Sequence, residues 1–280
     1  MKRILLYILL FGRFLRYYFS ARTRHNLHGP FAYALTEAII EDTRTFYAFG
    51  IIEQLRKKLL RDKQTIRVTD YGAGSKVAAG PLRRISSLAR YSAISPATGR
   101  MLFRLVHFTK PRRMLELGAS LGISTAYQGA AALSASFITI EGCPETARYA
   151  SQNFQRLGLA NIHLLNGQFQ HLLPQALQHL QRLDYLYLDG DHRAGASLSY
   201  FQQCLPYAHS DSVFVIADIH WSREMEDAWL EMQRHPAVTL SVDLFHIGLL
   251  FFRKEQRQEK HYAIIRARYK PWLAGLSGKS

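Results

Sequence analysis

Cysteine is almost missing from this chain: Cys143 and Cys204 are the only two among 280 residues. Two thiols make neither a disulfide framework nor a cysteine-based metal cluster, and they suit a reducing compartment, so a cytoplasmic location is expected. Long apolar runs are missing too. Ile4 to Gly12 is apolar, but Arg13 and Arg16 interrupt the next turns, well short of the roughly 20 residues a spanning helix needs. The basic start and short apolar run would suit a signal peptide, but no clear small-residue cleavage site follows. Acidic residues are absent from one stretch: none lies between Tyr71 and Leu115, whereas Lys76, Arg83, Arg84, Arg90, Arg100, Arg104, Lys110, Arg112 and Arg113 do. With a formal net charge of +15, the chain suits an anionic small molecule, an anionic lipid surface or nucleic acid. Its 48% hydrophobic content excludes global disorder.

Residues 1–65 read as helical and basic. Arg13, Arg16 and Ser20 recur at three- to four-residue spacing among Leu, Tyr and Phe. That suits an amphipathic helix making peripheral contact with the inner face of a membrane through residues 1–20, or one packed on its own protein or on a partner. Phe31 to Leu60 reads as helix, opened by Pro30 and broken weakly at Gly50. A short strand, a glycine loop and mixed helices fill 66–113. The expected organisation is a mainly helical, basic region over 1–113, acting as substrate lid or membrane contact, and a second region over 114–280. There, apolar runs at 114–117, 136–140, 161–165, 184–188 and 212–217 alternate with helical stretches at 122–133, 144–157, 169–182, 195–205 and 222–234. Such alternation predicts an α/β fold on a buried parallel sheet. Runs at 238–244, 247–252 and 262–268, with no long helix between them, predict an antiparallel edge.

Met114 to Thr125 reads as a strand that turns through Gly118 and Gly122 into a helix, the geometry that brings backbone close to a nucleotide-like ligand. Glu141 closes the next apolar run, where an acid can accept hydrogen bonds from both ribose hydroxyls. The Gly118–Gly122 interval is one glycine short of the dinucleotide fingerprint. That favours an adenosine cofactor without a pyrophosphate, which S-adenosylmethionine satisfies. A second glycine loop, Asp70 to Ser75, comes after Ile66–Thr69 but lacks an acid at the end of an adjacent strand. It reads as a structural turn or a lip over the site.

Two further strand ends carry acids and histidines: Asp189, Asp191 and His192 after one, Asp218, His220 and Trp221 after the next. Oxygen and nitrogen donors of this kind suit Mg2+ or another divalent cation, with Asp189, Asp218 and His220 as candidate ligands. An imidazole, with a reference pKa of about 6.5, can take the proton of an acceptor hydroxyl. His192 is the first candidate base and His220 the second.

Together these residues resemble class I S-adenosylmethionine-dependent methyltransferases, nearest the catechol-type and macrolide sugar O-methyltransferases, over about residues 114–253. The resemblance implies a Rossmann-like, seven-stranded, mostly parallel sheet with an antiparallel edge strand, plus an N-terminal helical extension. It implies cofactor contacts from Glu116, Gly118, Ser120, Gly122, Glu141, Asn166, Gly167 and Asp189. Asp189 matches the first metal-binding acid of the metal-dependent branch, His192 the catalytic histidine of the sugar enzymes, and Asp218 part of the second metal position. The pattern departs at Ala217 and Ile219, which cannot ligate, so His220 or water would have to complete a shell. The implied activity is methyl transfer from S-adenosylmethionine to a hydroxyl; the resemblance gives no substrate, and the leading expectation is a small or lipid-linked acceptor, for which the positive charge leaves an anionic compound open. The alternatives are an RNA methyltransferase, weakened by Asp189-Gly190-Asp191-His192 where base-modifying enzymes carry a Pro-Pro-aromatic signature, and a non-catalytic cofactor-binding scaffold. The oligomeric state is not encoded in any motif.

Overall fold

The computed structural model describes residues 2–69, 80–191, 193–254 and 260–275. Along the chain run α1 (Lys2–Ser20), α2 (Pro30–Thr36), α3 (Tyr47–Arg61), β1 (Thr65–Arg67), β2 (Leu82–Arg84), α4 (Ile85–Tyr91) and α5 (Pro96–Thr109). Then come β3 (Arg113–Leu117), α6 (Ile123–Ala131), β4 (Ser136–Glu141), α7 (Pro144–Leu157), β5 (Ile162–Asn166), α8 (Phe169–Leu180), β6 (Tyr185–Leu188) and α9 (Ala194–Cys204). The last elements are β7 (Val213–Ala217), α10 (Arg223–Arg234), β8 (Leu240–Asp243), β9 (Ile247–Phe251) and β10 (His261–Ala263).

The main sheet has the order β10-β8-β9-β7-β6-β3-β4-β5. Strands β3 to β7 pair in parallel, β9 runs antiparallel to both β7 and β8, and β10 adds a short parallel strand beside β8. The α/β, mostly parallel sheet expected from the alternating pattern is therefore present, as are the Rossmann-like form and helical extension that the resemblance implies; the sheet has eight strands where seven were expected, because β10 adds to its edge, and the antiparallel hairpin lies towards that edge. Both faces are covered. Leu115, Ile138, Leu186 and Phe214 pack under α8, α9 and α10, while Met114, Phe137, Tyr185 and Val213 pack with Leu35 of α2 and Leu102, Leu105 and Val106 of α5. Strands buried on both sides need apolar residues at every position, which is why they read as continuous runs. The N-terminal helices α2 and α5 thus share one core with the sheet.

Local chemistry sets the helix limits. Pro144 opens α7 and Gly158, in the left-handed region at φ 67, ends it, the usual Pro-start, Gly-stop asymmetry. Ser222 caps α10 by accepting from the Met225 N–H at 3.2 Å, with Glu224 and Glu226 in the first turn, where the helix dipole favours acids. The helix expected over 31–60 differs from expectation. It breaks at 42–46, where Asp42 accepts the Arg44 N–H at 2.8 Å in a side-chain-closed turn. Gly50 sits inside α3 beside buried Phe49 and Ile52. One interior glycine costs about 1 kcal/mol, less than burial of either neighbour returns.

The strand order reverses between β3 and β6, so their carboxyl ends part and leave a crevice, the usual ligand position in open α/β sheets.

Candidate active site

The carboxyl ends of β3, β4, β6 and β7 open onto a cleft of about 970 Å³, at the upper end of small-molecule pockets and roomy enough for a nucleoside and a second small molecule. One bank is mostly backbone. Gly118 has φ +102, and a Cβ there would lie 2.8 Å from the Asp189 carbonyl oxygen, so only glycine lets β3 turn against the end of β6. Ser120 comes next at φ 49. Gly122 caps α6 at φ +80, where a Cβ would press to 2.6 Å on the Phe154 ring. The loop is tied to the next strand by Glu141. Its carboxylate accepts the Ser120 N–H at 2.7 Å, the Cys143 N–H at 2.9 Å and the Thr146 hydroxyl at 3.1 Å. Gly118, Ser120 and Glu141 line the cleft together, and a fixed carboxylate at this strand end suits a ribose diol.

Four of the expected cofactor contacts do not line the cleft, and Gly122, which shapes the turn into α6, is one of them. Glu116 is fully buried under the loop and accepts from Ser124, Thr125, Gln128 and Thr139. Burial pushes its carboxyl upward, against the pull of those four donors. It braces the β3–α6 turn and does not face the cleft. Asn166 donates to the Glu141 carbonyl at 2.7 Å, and the Gly167 N–H donates to the same oxygen at 3.0 Å. Both brace the end of β4, while Gln168, Phe169 and Gln170 just beyond them form the wall.

The other bank carries charge. Asp189 ends β6 and accepts from the Tyr187 hydroxyl at 3.0 Å. Burial, then the like charge of Asp218, push its carboxyl well above the usual range. Asp218, at φ 54 after β7, also lines the cleft. Asp191 is held by Arg193 through two contacts of 2.6 Å. His192 lies outside the described residues, as does the Asp70–Ser75 loop, although Thr69 and Arg83 line the cleft.

His220 does not join Asp189 and Asp218. Its Nδ1 pairs with Glu226 and its Nε2 with Asp243, each at 2.7 Å, and it lines a separate pocket against α1. Burial lowers its pKa, but Asp243 and Glu226 outweigh that and raise it. Both of its nitrogens are thus engaged outside the cleft, by Glu226 and Asp243. Among the described residues, no group of three His, Cys, Asp or Glu side chains could hold a metal ion.

Sequence reasoning missed His246. It sits in the three-residue turn between β8 and β9, is exposed to the cleft, and its carbonyl accepts the Asp218 N–H at 2.7 Å. Burial lowers its pKa, Asp218 opposes that, and His220 adds to it. A neutral imidazole beside a carboxylate is thus turned to the cleft, next to Trp221 and Glu224. The hairpin is held from outside. Phe245 adopts φ 70, costly for a bulky side chain, and is packed by Phe14 at 5.1 Å, His220 at 5.2 Å and Tyr17 at 5.4 Å. Arg13 of α1 meets Glu226 at 3.0 Å and donates to the His220 and Trp221 carbonyls at 3.3 Å each. The Asp218, His220 and Trp221 cluster marked this neighbourhood beforehand; of these Asp218 and Trp221 line the cleft and His220 does not.

Comparison with known proteins places this geometry. Residues 115–219 match a family model described as a methyltransferase domain. The catechol O-methyltransferase of Niastella koreensis is 27% identical over 130 residues, covering 45% of this chain and 58% of that one. The chain therefore matches less than two thirds of that relative. An O-methyltransferase from Bacillus cereus, solved with S-adenosylhomocysteine, superposes with a TM-score of 0.52 at 16% identity over 78% of this chain and 95% of its own. A Podospora anserina methyltransferase solved with the same molecule gives 0.56 at 12% identity, over 81% and 97%. The chain thus has the fold of class I S-adenosylmethionine-dependent methyltransferases, and residues 115–219 of it match the methyltransferase-domain model.

Proposed function

We propose that this chain transfers a methyl group from S-adenosylmethionine to a hydroxyl of a small acceptor. The observation that carries this reading is the Gly118–Ser120–Glu141 cradle, which leaves backbone bare and a carboxylate fixed at the strand end, in a domain matched as a methyltransferase. The relatives named for O-directed transfer support the acceptor atom.

When bound, the cofactor supplies a methyl on a cationic sulfur that becomes neutral on transfer. The residues of the chain then have three tasks. The cradle fixes the nucleoside, so the methyl is presented in one orientation. The Asp218 carboxylate favours a cation in the cleft, while Asp189, whose carboxyl is pushed well above the usual range, offers hydrogen bonding beside it. An imidazole takes the acceptor's hydroxyl proton on a ring nitrogen. His192 comes shortly after Asp189 and fits that role by sequence. His246 fits it by geometry, because it is held neutral and the Asp218 carboxylate would stabilise the imidazolium it becomes. A lipid-linked or anionic acceptor fits the basic composition and is the finer part of the proposal.

The test is a panel of phenols, sugars and lipid-linked alcohols with labelled S-adenosylmethionine, using His192→Ala, His246→Asn and the parent. Binding of S-adenosylhomocysteine by calorimetry serves as the fold control. Transfer should fall by about a hundredfold or more in one histidine variant with that binding kept, and turnover should survive exhaustive chelation. Unchanged transfer in both variants removes the base assignment. A folded parent that binds neither donor nor demethylated product removes the reading altogether.

A further inference from the structure

The face of α1 opposite the clamp presents large apolar side chains to solvent. Ile8 is 60% exposed, Phe11 60%, Leu15 37% and Phe19 77%. Their spacing of three, four and four residues puts them on one stripe of the helix, while Arg13, Phe14 and Tyr17 occupy the opposite, packed stripe. The surface does not stop at the helix. Tyr18 donates to the Tyr269 carbonyl at 2.8 Å, its ring meets Trp272 at 6.4 Å, and Lys270 donates to the Ala21 carbonyl at 2.6 Å. Tyr269 and Trp272, 49% and 58% exposed, thereby continue the stripe.

Charge selects what covers it. Neither segment that builds this surface contains an acid: the first acidic residue of the chain is Glu37 and the last is Glu259. Lys2, Arg3, Arg22, Arg266 and Arg268 belong to these segments, and Arg16, its side chain 70% exposed, sits at their border paired with Glu226 at 2.7 Å. Apolar stripe, interfacial Trp and Tyr, and one-signed charge together match the boundary of an anionic bilayer. From Ile8 to Phe19 the helix is only about 16 Å long at 1.5 Å per residue, and among the described residues no helix is long and apolar enough to cross a membrane. The geometry therefore points to α1 lying flat on the surface.

We infer that α1, with Tyr269 and Trp272, is a docking surface for anionic lipid. The inference does not depend on the methyl acceptor. The full chain is sedimented with vesicles of phosphatidylcholine alone and with vesicles that also contain phosphatidylglycerol, beside a Phe11→Ser, Leu15→Ser, Phe19→Ser variant. The parent should partition onto the anionic vesicles and come off as salt is raised, and the variant should lose about tenfold or more of that partitioning. If the triple variant does not fold by circular dichroism, Phe19→Ser alone should show a loss of several-fold. A parent that stays in the supernatant with anionic vesicles overturns the inference. So does a folded variant that binds as well as the parent, or equal binding to both vesicle types. Light scattering that shows a parent dimer, a variant monomer and no vesicle binding would give the stripe to a second copy of this chain instead.

Discussion

On one bank of the cleft, the loop after β3 and the end of β4 hold each other through Ser120 and Glu141, which are 21 positions apart. On the other, the loop after β7 and the β8–β9 turn are held by Arg13 and Phe14 of α1, with Arg13 and Glu226 213 positions apart. The first bank is built from backbone conformation and needs no distant help. The second concentrates Asp189, Asp218 and His246 and relies on a helix from the far end of the chain. A ligand common to many related reactions suits the local bank. A ligand particular to this chain suits the bank that a helix outside the sheet domain holds in place.

The largest effect should come from breaking the local bank at Gly118. In Gly118→Val, the side chain would meet the Asp189 carbonyl oxygen at 2.8 Å in backbone, and φ +102 disfavours any L side chain. We expect no measurable binding of S-adenosylhomocysteine by calorimetry, and a stability loss of about 3 kcal/mol in urea unfolding. A variant that binds as the parent does would show that the two banks are not distinguished in this way.

That bank was legible in the sequence because its constraints are short-range and name their residues. Gly118 and Gly122 are glycines because a Cβ has nowhere to go, and Glu141 closes a strand whose partner lies immediately before it. Glu116 was misplaced for a reason internal to buried strands. When every position from Met114 to Leu117 is covered, apolar pattern carries no information about which way one carboxylate turns. The second bank was legible only as a cluster of acids and histidines. His220 sits two residues after Asp218, but Asp218 takes φ 54 and the chain turns, sending His220 towards Asp243 and Glu226. His246 carries no sequence signal at all. It reaches the cleft because β9 inserts antiparallel beside β7, a pairing set by the whole sheet.

An intermediate effect sharpens the contrast on the charged bank. Burial and Asp218 raise the carboxyl of Asp189, so the native state keeps its proton to higher pH than the unfolded chain does. Parent stability therefore falls as pH rises from about 4 through the folded pKa, and stays lowered above it. Asp189→Asn carries no such term. At neutral pH it should melt above the parent, with the gap closing below about pH 4, while methyl transfer drops on the order of a hundredfold. A lowered melting temperature at neutral pH would refute this account of the site.

The smallest effects test the long-range clamp. Arg13→Ala removes the donor to the His220 and Trp221 carbonyls but leaves Glu226 paired with Arg16 at 2.7 Å and with His220. It should cost about 1–2 kcal/mol of stability and raise KM for the acceptor several-fold more than it lowers kcat. Binding of S-adenosylhomocysteine should be unmoved, and Arg13→Lys should restore charge without the fork and fall between. His220 supplies the finest readout. Its pKa is raised in the fold by Asp243 and Glu226 against burial, so its stabilising contribution is complete below about pH 6.5, the value for the unfolded chain, and is lost as pH climbs through the folded value. In His220→Gln that decline should be absent from urea-unfolding free energies measured over the same interval. A decline of unchanged size would mean that the imidazole between Asp243 and Glu226 does not hold its proton, and that the clamp rests on Arg13 and Phe14 alone.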